Sequence, residues 1–271
     1  MHNWYWRNWE GLCYLTCDLL EPWIHGFFTQ QFWPRLPQEL TNLLHPEALA
    51  YRLQQVHGNI VLTPPEVDNQ SINSEYNLAA GDGLISTQSL QALWVASADC
   101  TPVLMGDMRT GQVAAIHAGW RGTAQKILPT AIARMQSHGS NLTDLRIAMG
   151  PAIAGEVYQV DVEVAAKICS TIIPYDTSKG TLETLEILEK LPNSPLFPDP
   201  NPGKIRLDVP RINSLQLDAL GISPEQVAIA PYCTYQNSEH FFSYRRQKQK
   251  KVQWSGIISQ ESPYNTLHPT P

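Results

Sequence analysis

Three side chains able to hold a metal or run nucleophilic chemistry stand beside short apolar runs. Residues 92–122, ALWVASADCTPVLMGDMRTGQVAAIHAGWRG, carry Asp99 and Cys100 after the run 93–96, and His117 at the close of the run 113–116, just before Gly119-Trp120-Arg121-Gly122. Further upstream, Gln55-Val56-His57-Gly58 precedes another apolar run. Zinc is bound tetrahedrally by thiolate and imidazole, and a catalytic zinc keeps three protein ligands and one open position. His57, Cys100 and His117 supply that count. Their separations of 43 and 17 residues are too long for a zinc finger, so the fold has to bring them together. The same atoms admit other chemistry. Cys100 with His117 could act as nucleophile and base, and a His₂Cys set with Met105 or Met149 as a distant sulfur is the blue-copper arrangement.

Strands are the elements that must position these groups. Residues 92–122 read as three short buried strands broken by two polar turns, with the reactive groups at strand ends, where loops on a rigid sheet carry binding and catalytic residues. Asp82-Gly83 is a turn signal opening a strand at 84–86. The spacing of Ile127, Ala131, Ile132 and Met135 predicts a helix over 123–136, either kinked at Pro129 or restarting with Pro129 in its first turn, and stopping at His138-Gly139. Helices are also predicted over 46–55, over 161–173 with Asp161 as cap, and over 208–220, with Gly221 as its stop. Strands are predicted at 59–63, 145–149 and 227–231. Residues 64–80 read as a polar loop, and 181–191 as an acidic amphipathic segment. The proline cluster Pro192, Pro195, Pro198, Pro200 and Pro202 reads as an excursion within one domain, since too little follows it to build a separate core.

Composition bounds the class. A chain of 271 residues with 43% hydrophobic residues can fill one large core. With 19 Lys+Arg against 25 Asp+Glu, the net charge of -6 argues against broad nucleic-acid or anionic-membrane binding. Five residues in seven over 245–251 are basic (Arg245, Arg246, Lys248, Lys250, Lys251), which reads as a solvated hairpin tip. Five unpatterned cysteines argue for a reducing, cytoplasmic setting, with Cys13 and Cys17 as small apolar residues of a first strand. No run approaches the roughly 18 apolar residues of a membrane span, and MHNWYWRNWEGL lacks the character of a signal peptide. Five of the eight Trp fall in the first forty residues, where Pro22, Gly26, Pro34 and Pro37 break any long amphipathic helix. The expectation is a single domain over 1–271, with the Trp-rich segment 1–21, an edge strand and loops, and the tail 260–271 at its periphery.

Five motifs stand together: Gln-Val-His-Gly at 55–58, Ala-Asp-Cys-Thr-Pro at 98–102, His-Ala-Gly-Trp-Arg-Gly at 117–122, Gly-Pro-Ala-Ile at 150–153, and Cys-Thr with Phe-Phe-Ser-Tyr-Arg-Arg at 233–246. From about residue 22 to residue 259 the chain resembles the YfiH family. That family is also called the multicopper polyphenol oxidase or laccase-like domain, and its members act as purine nucleoside phosphorylases. The resemblance implies an α/β fold of the α+β type, with mixed sheets flanked by helices, and zinc on His57, Cys100 and His117, with copper possible at the same site. A blue-copper centre with a trinuclear cluster draws on many His-x-His pairs, whereas this chain has eight His and no such pair. Members commonly carry Thr-Arg where Thr29-Gln30 stands, and Gly-Arg after Ser-Tyr-Arg-Arg where Lys250-Lys251 stands.

The resemblance further implies phosphorolysis of adenosine, inosine and methylthioadenosine to free base and ribose 1-phosphate, with adenosine deamination beside it. Purine nucleoside and phosphate are then the partners. Arg121 is suited to phosphate through its planar fork. Phe241, Phe242 and Tyr244 are candidate stacking surfaces for the base, Asp82 and Glu239 candidate acid/base or hydroxyl-binding groups, and Arg245 a further substrate contact. The rivals are a Cys100-nucleophile hydrolase or amidase acting on cell-wall precursors, a copper-dependent polyphenol oxidase, and a structural zinc module closed by Cys233 as fourth ligand.

Overall fold

The computed structural model describes residues 2–71, 78–172, 181–190 and 192–261. The expected mixed α/β architecture is present. The chain begins with β1 (Trp4–Trp9), β2 (Leu12–Cys17) and β3 (His25–Phe28), followed by α1 (Pro37–Leu44), β4 (Leu49–Tyr51), β5 (Val61–Leu62) and α2 (Pro64–Ser71). Next come β6 (Gly83–Ile85), β7 (Gln91–Ser97), β8 (Thr101–Asp107) and β9 (Val113–Ala118), then α3 (Trp120–Ala124), α4 (Ile127–Ser137) and β10 (Leu145–Met149). The remainder holds β11 (Gln159–Asp161), α5 (Val162–Cys169), α6 (Thr181–Glu189), β12 (Leu196–Pro198), β13 (Lys204–Leu207), α7 (Val209–Asp218), β14 (Val227–Ile229), α8 (Tyr244–Gln247) and β15 (Gln253–Ile258).

Two six-stranded sheets, ordered β1-β2-β3-β15-β7-β4 and β14-β10-β8-β9-β6-β5, pack face to face, and a small sheet β11-β13-β12 stands beside them. Alternation along the strands explains the layers. In β8, Leu104 faces the first sheet with Leu93, Val95 and Ile257, while Val103 and Met105 face Ile127, Ile132 and Met135 of α4. In β7, Leu93 and Val95 point to the shared core, while Ala92 and Trp94 point to Leu40 of α1. These strands are buried on both faces and so read as continuous apolar runs rather than alternating ones. The Trp94 indole N–H donates to Thr41 Oγ1 at 2.8 Å, which satisfies the one polar atom that this ring buries.

Several elements differ from the sequence reading. No helix spans 46–55: α1 ends at Leu44, ahead of Pro46, which holds His45 extended, and the chain then pairs as β4 in parallel with β7. Residues 64–71 are helical rather than loop, because Glu66 accepts hydrogen bonds from Thr63 N and Thr63 Oγ1 at 2.7 and 2.9 Å, half of a capping box. Residues 72–77, and position 173 of the helix read as 161–173, lie outside the described residues. So do Leu191 and most of the tail from 262 onward. Within the segment 1–21, β1 and β2 form a hairpin on a two-residue turn, Glu10-Gly11, with both φ angles positive. The segment adds an edge strand, as read, yet it also buries Leu15, Cys17 and Leu20 in the shared core. Helix α4 restarts after Lys126, which has φ 60°, so Pro129 falls in the first turn, where its missing N–H costs nothing. Asp161 occupies the cap position of α5 without a side-chain capping bond, its carboxylate pairing with Lys204 instead, while Asp208 of α7 accepts from Arg211 N at 2.9 Å. No hairpin forms at 245–251: that run is the four-residue α8 and the irregular lead into β15, which leaves the helix through Lys248 at φ 56°. No helix among the described residues is long and apolar enough to cross a membrane.

Leu104 is fully buried between the two large sheets. Leu104→Ala should lower the unfolding free energy by about 2–5 kcal/mol in urea titrations. A loss below about 1 kcal/mol would show that the sheets close over the gap and do not depend on this contact.

Candidate active site

The link from β7 to β8 crosses from one large sheet to the other, and Ala98, Asp99 and Cys100 make that crossing. Because β8 and β9 are antiparallel, with Thr101 opposite Ala118, Cys100 and His117 emerge at the same end of the sheet. His57 arrives on a separate loop before β5. Its donor atom, Cys100 Sγ and a ring nitrogen of His117 all lie within 4.8 Å of one another. The two imidazoles meet edge to face, with centroids 4.9 Å apart.

Asp82, at the start of β6, joins the parts. Its carboxylate accepts the Val56, His57 and Gly58 backbone N–H groups at 3.1, 2.9 and 2.7 Å, and His117 Nδ1–H at 2.8 Å. Its carbonyl accepts the His117 N–H at 2.7 Å. The carboxylate is fully buried. Burial alone would raise its pKa, yet His117 and the loop N–H groups hold it below the usual carboxylate value. Three successive N–H groups aimed at one anion form a nest, which His57 reaches with φ 59°. With Nδ1 committed to Asp82, His117 presents Nε2 to Cys100, the tautomer a metal ligand needs. Asp82 was read as a substrate contact. Its full burial and four filled acceptor positions keep it from the cavity.

Electrostatics favour a thiolate. Burial would raise the Cys100 pKa, but hydrogen bonds from His117 and His57 bring it down from 9.0 to about 6. Burial would lower that of His117, but Asp82 and Cys100 push it up to about 9. The donor set therefore sits in the charge state a metal displaces protons from. Gly119 leaves the sulfur its room: a Cβ there would lie 2.8 Å from Cys100 Sγ and 3.4 Å from His57. Two imidazoles and one thiolate at this spacing, with one imidazole oriented by a carboxylate, fit zinc with a fourth position open. Met105 and Met149 are buried in the core with the residues of α4 and do not join the set. Neither does Cys233, whose sulfur accepts the Ala154 N–H at 3.2 Å.

The triad opens into a cavity of 580 Å³ lined also by Arg121, Tyr244 and Arg245. The Arg121 guanidinium lies 4.4 Å over the Trp120 ring and has no ion pair among the described residues. Arg245 lies 4.8 Å over Tyr158 and donates to Gln159 O at 2.8 Å. Burial raises the Tyr158 pKa to about 12, with the Cys100 charge adding to it, so the phenol stays protonated. Two expected substrate contacts fall elsewhere. Glu239 is exposed away from the cavity, its carbonyl taking Gln30 Nε2 at 3.0 Å, and Phe242 packs beneath Lys251, outside the lining. Phe241 is core.

Tyr158, Trp120, Gln55 and Trp254 line the cavity without having been singled out. Asp99 is the informative omission. With φ 96°, it accepts Thr234 Oγ1 and the Arg245 N–H, both at 2.7 Å, and its carbonyl takes the Ile153 N–H at 2.9 Å. One residue thus gathers three of the sequence motifs. Their joint presence in the sequence was the available signal; which of them touch was not.

The sequence model for multi-copper polyphenol oxidoreductase laccase matches residues 37–259, and the chain belongs to that family. Among its relatives, a protein of Synechocystis named purine nucleoside phosphorylase slr1573 is 50% identical over 256 residues, covering 94% of this chain and 97% of its own. Another, named purine nucleoside phosphorylase, from Bacteroides thetaiotaomicron, is 30% identical over 203 residues, 74% of this chain and 69% of its own. The fold is that of YfiH from Bacillus licheniformis, with TM-score 0.74 at 22% identity over 94% of this chain and 99% of that one. It is equally that of YlmD from Geobacillus stearothermophilus, with TM-score 0.75 at 23% identity over the same shares.

Iodoacetamide labelling of Cys100 in chelator-treated protein should reach half its maximal rate near pH 6, because both imidazoles favour the thiolate. Zinc should slow that labelling strongly. A midpoint near the ordinary thiol value would show that the imidazoles do not act on this sulfur.

Proposed function

We propose that the protein is a zinc-dependent purine nucleoside phosphorylase, converting adenosine, inosine or methylthioadenosine and phosphate to free base and ribose 1-phosphate, with adenosine deamination beside it. The observation that carries the reading is the convergence of the His57–Cys100–His117 set with an unpaired arginine on one cavity rich in aromatic rings. The names of the relatives support the same class. Zinc, when bound, supplies a Lewis acid that can acidify water and polarise phosphate or sugar oxygens.

The chain's own groups do the rest. Arg121, held flat on Trp120, offers two parallel N–H donors to phosphate. Tyr158, Tyr244 and Trp254 offer faces and edges for a purine. Holding both substrates in one cavity converts an encounter of three bodies into a local step, in which a phosphate oxygen bonds to ribose C1 as the bond to the purine nitrogen breaks. The proton of monohydrogen phosphate leaves with the purine. The family's description invokes several coppers, whereas among the described residues one set of three donors is brought together.

The lowered Cys100 pKa beside His117 favours a second reading, a Cys100-nucleophile hydrolase acting on cell-wall precursors. Fast, inactivating alkylation of Cys100 in zinc-replete protein would select it.

Chromatography of adenosine reactions tests the first reading. Adenine should form only when phosphate is supplied, and inosine with or without it, in greater amount when phosphate is absent. Arg121→Lys keeps the charge but loses the fork, so KM for phosphate should rise about tenfold or more while KM for nucleoside moves less. If neither adenine nor inosine forms, the nucleoside reading fails.

A further inference from the structure

The cavity is more cationic than one phosphate needs. Arg121, Arg245, Lys250 and Lys251 all line it in a chain whose net charge is -6. Asp99 is the one carboxylate among the lining residues, and Thr234 and the Arg245 N–H already occupy it. The four cations form two pairs on different walls. Arg121 and Arg245 stack on Trp120 and Tyr158, the aromatic residues that pack against α5 and the small sheet. Lys250 and Lys251 precede β15, whose Gln253 and Trp254 pair with Ser97 and Ala96 of β7. Lys251 is steadied over Trp33, its ammonium 4.8 Å from that ring. Lys250 is exposed and has no hydrogen bond or ion pair among the described residues.

The arginine pair carries donors enough for a single inorganic phosphate, even with one Arg245 N–H spent on Gln159 O. The lysine pair then faces ligand atoms that carry their own negative charge. A volume of 580 Å³ lies within the roughly 300–1,000 Å³ of pockets that enclose a small-molecule ligand. We propose that the Lys250–Lys251 wall receives a phosphate borne by the nucleoside, so that the site takes a purine nucleoside 5′-monophosphate in preference to the free nucleoside. This rests on the purine nucleoside reading and names its substrate class. Phosphorolysis of such a ligand forms a bond from the incoming phosphate oxygen to ribose C1 and breaks the bond to the purine nitrogen. The base leaves with the proton of monohydrogen phosphate, and the sugar product carries phosphate on C1 and C5.

Calorimetry on the zinc-loaded full chain in phosphate-free buffer tests it, with inosine and inosine 5′-monophosphate as probes, since neither can be phosphorolysed without phosphate. At low salt the nucleotide should bind about tenfold more tightly, and the ratio should shrink as salt screens the two lysines. In Lys250→Gln and in the double variant with Lys251→Gln, the ratio should fall toward one. Inosine binding as tightly as the nucleotide overturns the inference and leaves the nucleoside reading standing. A lysine variant that raises the KM for inorganic phosphate with the affinity ratio unchanged assigns the wall to the free co-substrate and also overturns it. Failure of both probes to bind overturns the nucleoside reading itself.

Discussion

A single buried carboxylate holds the candidate active site together. Asp82 binds the loop that carries His57 through three backbone N–H groups, and binds His117 through both its side chain and its own carbonyl. A fully buried charge is costly unless its acceptor positions are filled, and here they are filled by two segments 60 residues apart in the chain. That requirement makes the arrangement specific. Moving either ligand-bearing segment would strand the anion, so the position of the histidines and the burial of the aspartate are one constraint.

Around that anchor the two large sheets act as a frame. Strands β8 and β9 lie in the centre of one sheet and β7 lies between β15 and the edge strand β4 of the other, and the crossing between them puts Cys100 where both sheets end. The two faces of β8 are occupied by different apolar layers, so the strand cannot slide or turn over without exposing one of them. Asp99 adds the third wall by drawing in the 150–153 turn, Thr234 and Arg245. The aromatic residues Trp120 and Tyr158 extend the same wall to the small sheet, so the cation-bearing side of the cavity is built on a layer separate from the metal donors.

Much of this was legible in the sequence because burial on both faces of a strand leaves an uninterrupted apolar run, and the three runs in 92–122 became β7, β8 and β9 with small shifts. The metal donors were legible because His and Cys at strand ends are chemically conspicuous. Residues 46–55 were misread because a strand of three residues has too little pattern to compete with helical spacing, and only its pairing with β7 decides its state. The helix at 64–71 carried its signal, Thr63 with Glu66, in a stretch otherwise polar enough to pass for loop. Asp82 was noticed as a reactive group, but burial is a tertiary property, and the same residue in an open cleft would have served a substrate. The basic run 245–251 was read from charge alone; its place on the cavity wall depends on β15 pairing beside Ser97.

Asp82 acts through the loop and His117 rather than on substrate. Zinc affinity of Asp82→Asn, measured by competition with a chromophoric chelator, addresses this directly, since the amide keeps the size of the side chain but not its charge. Affinity should fall by about 10–100-fold, as when the partner of a ligating histidine is lost. Unchanged affinity, with activity lost through substrate binding alone, would contradict the account and return Asp82 to the cavity.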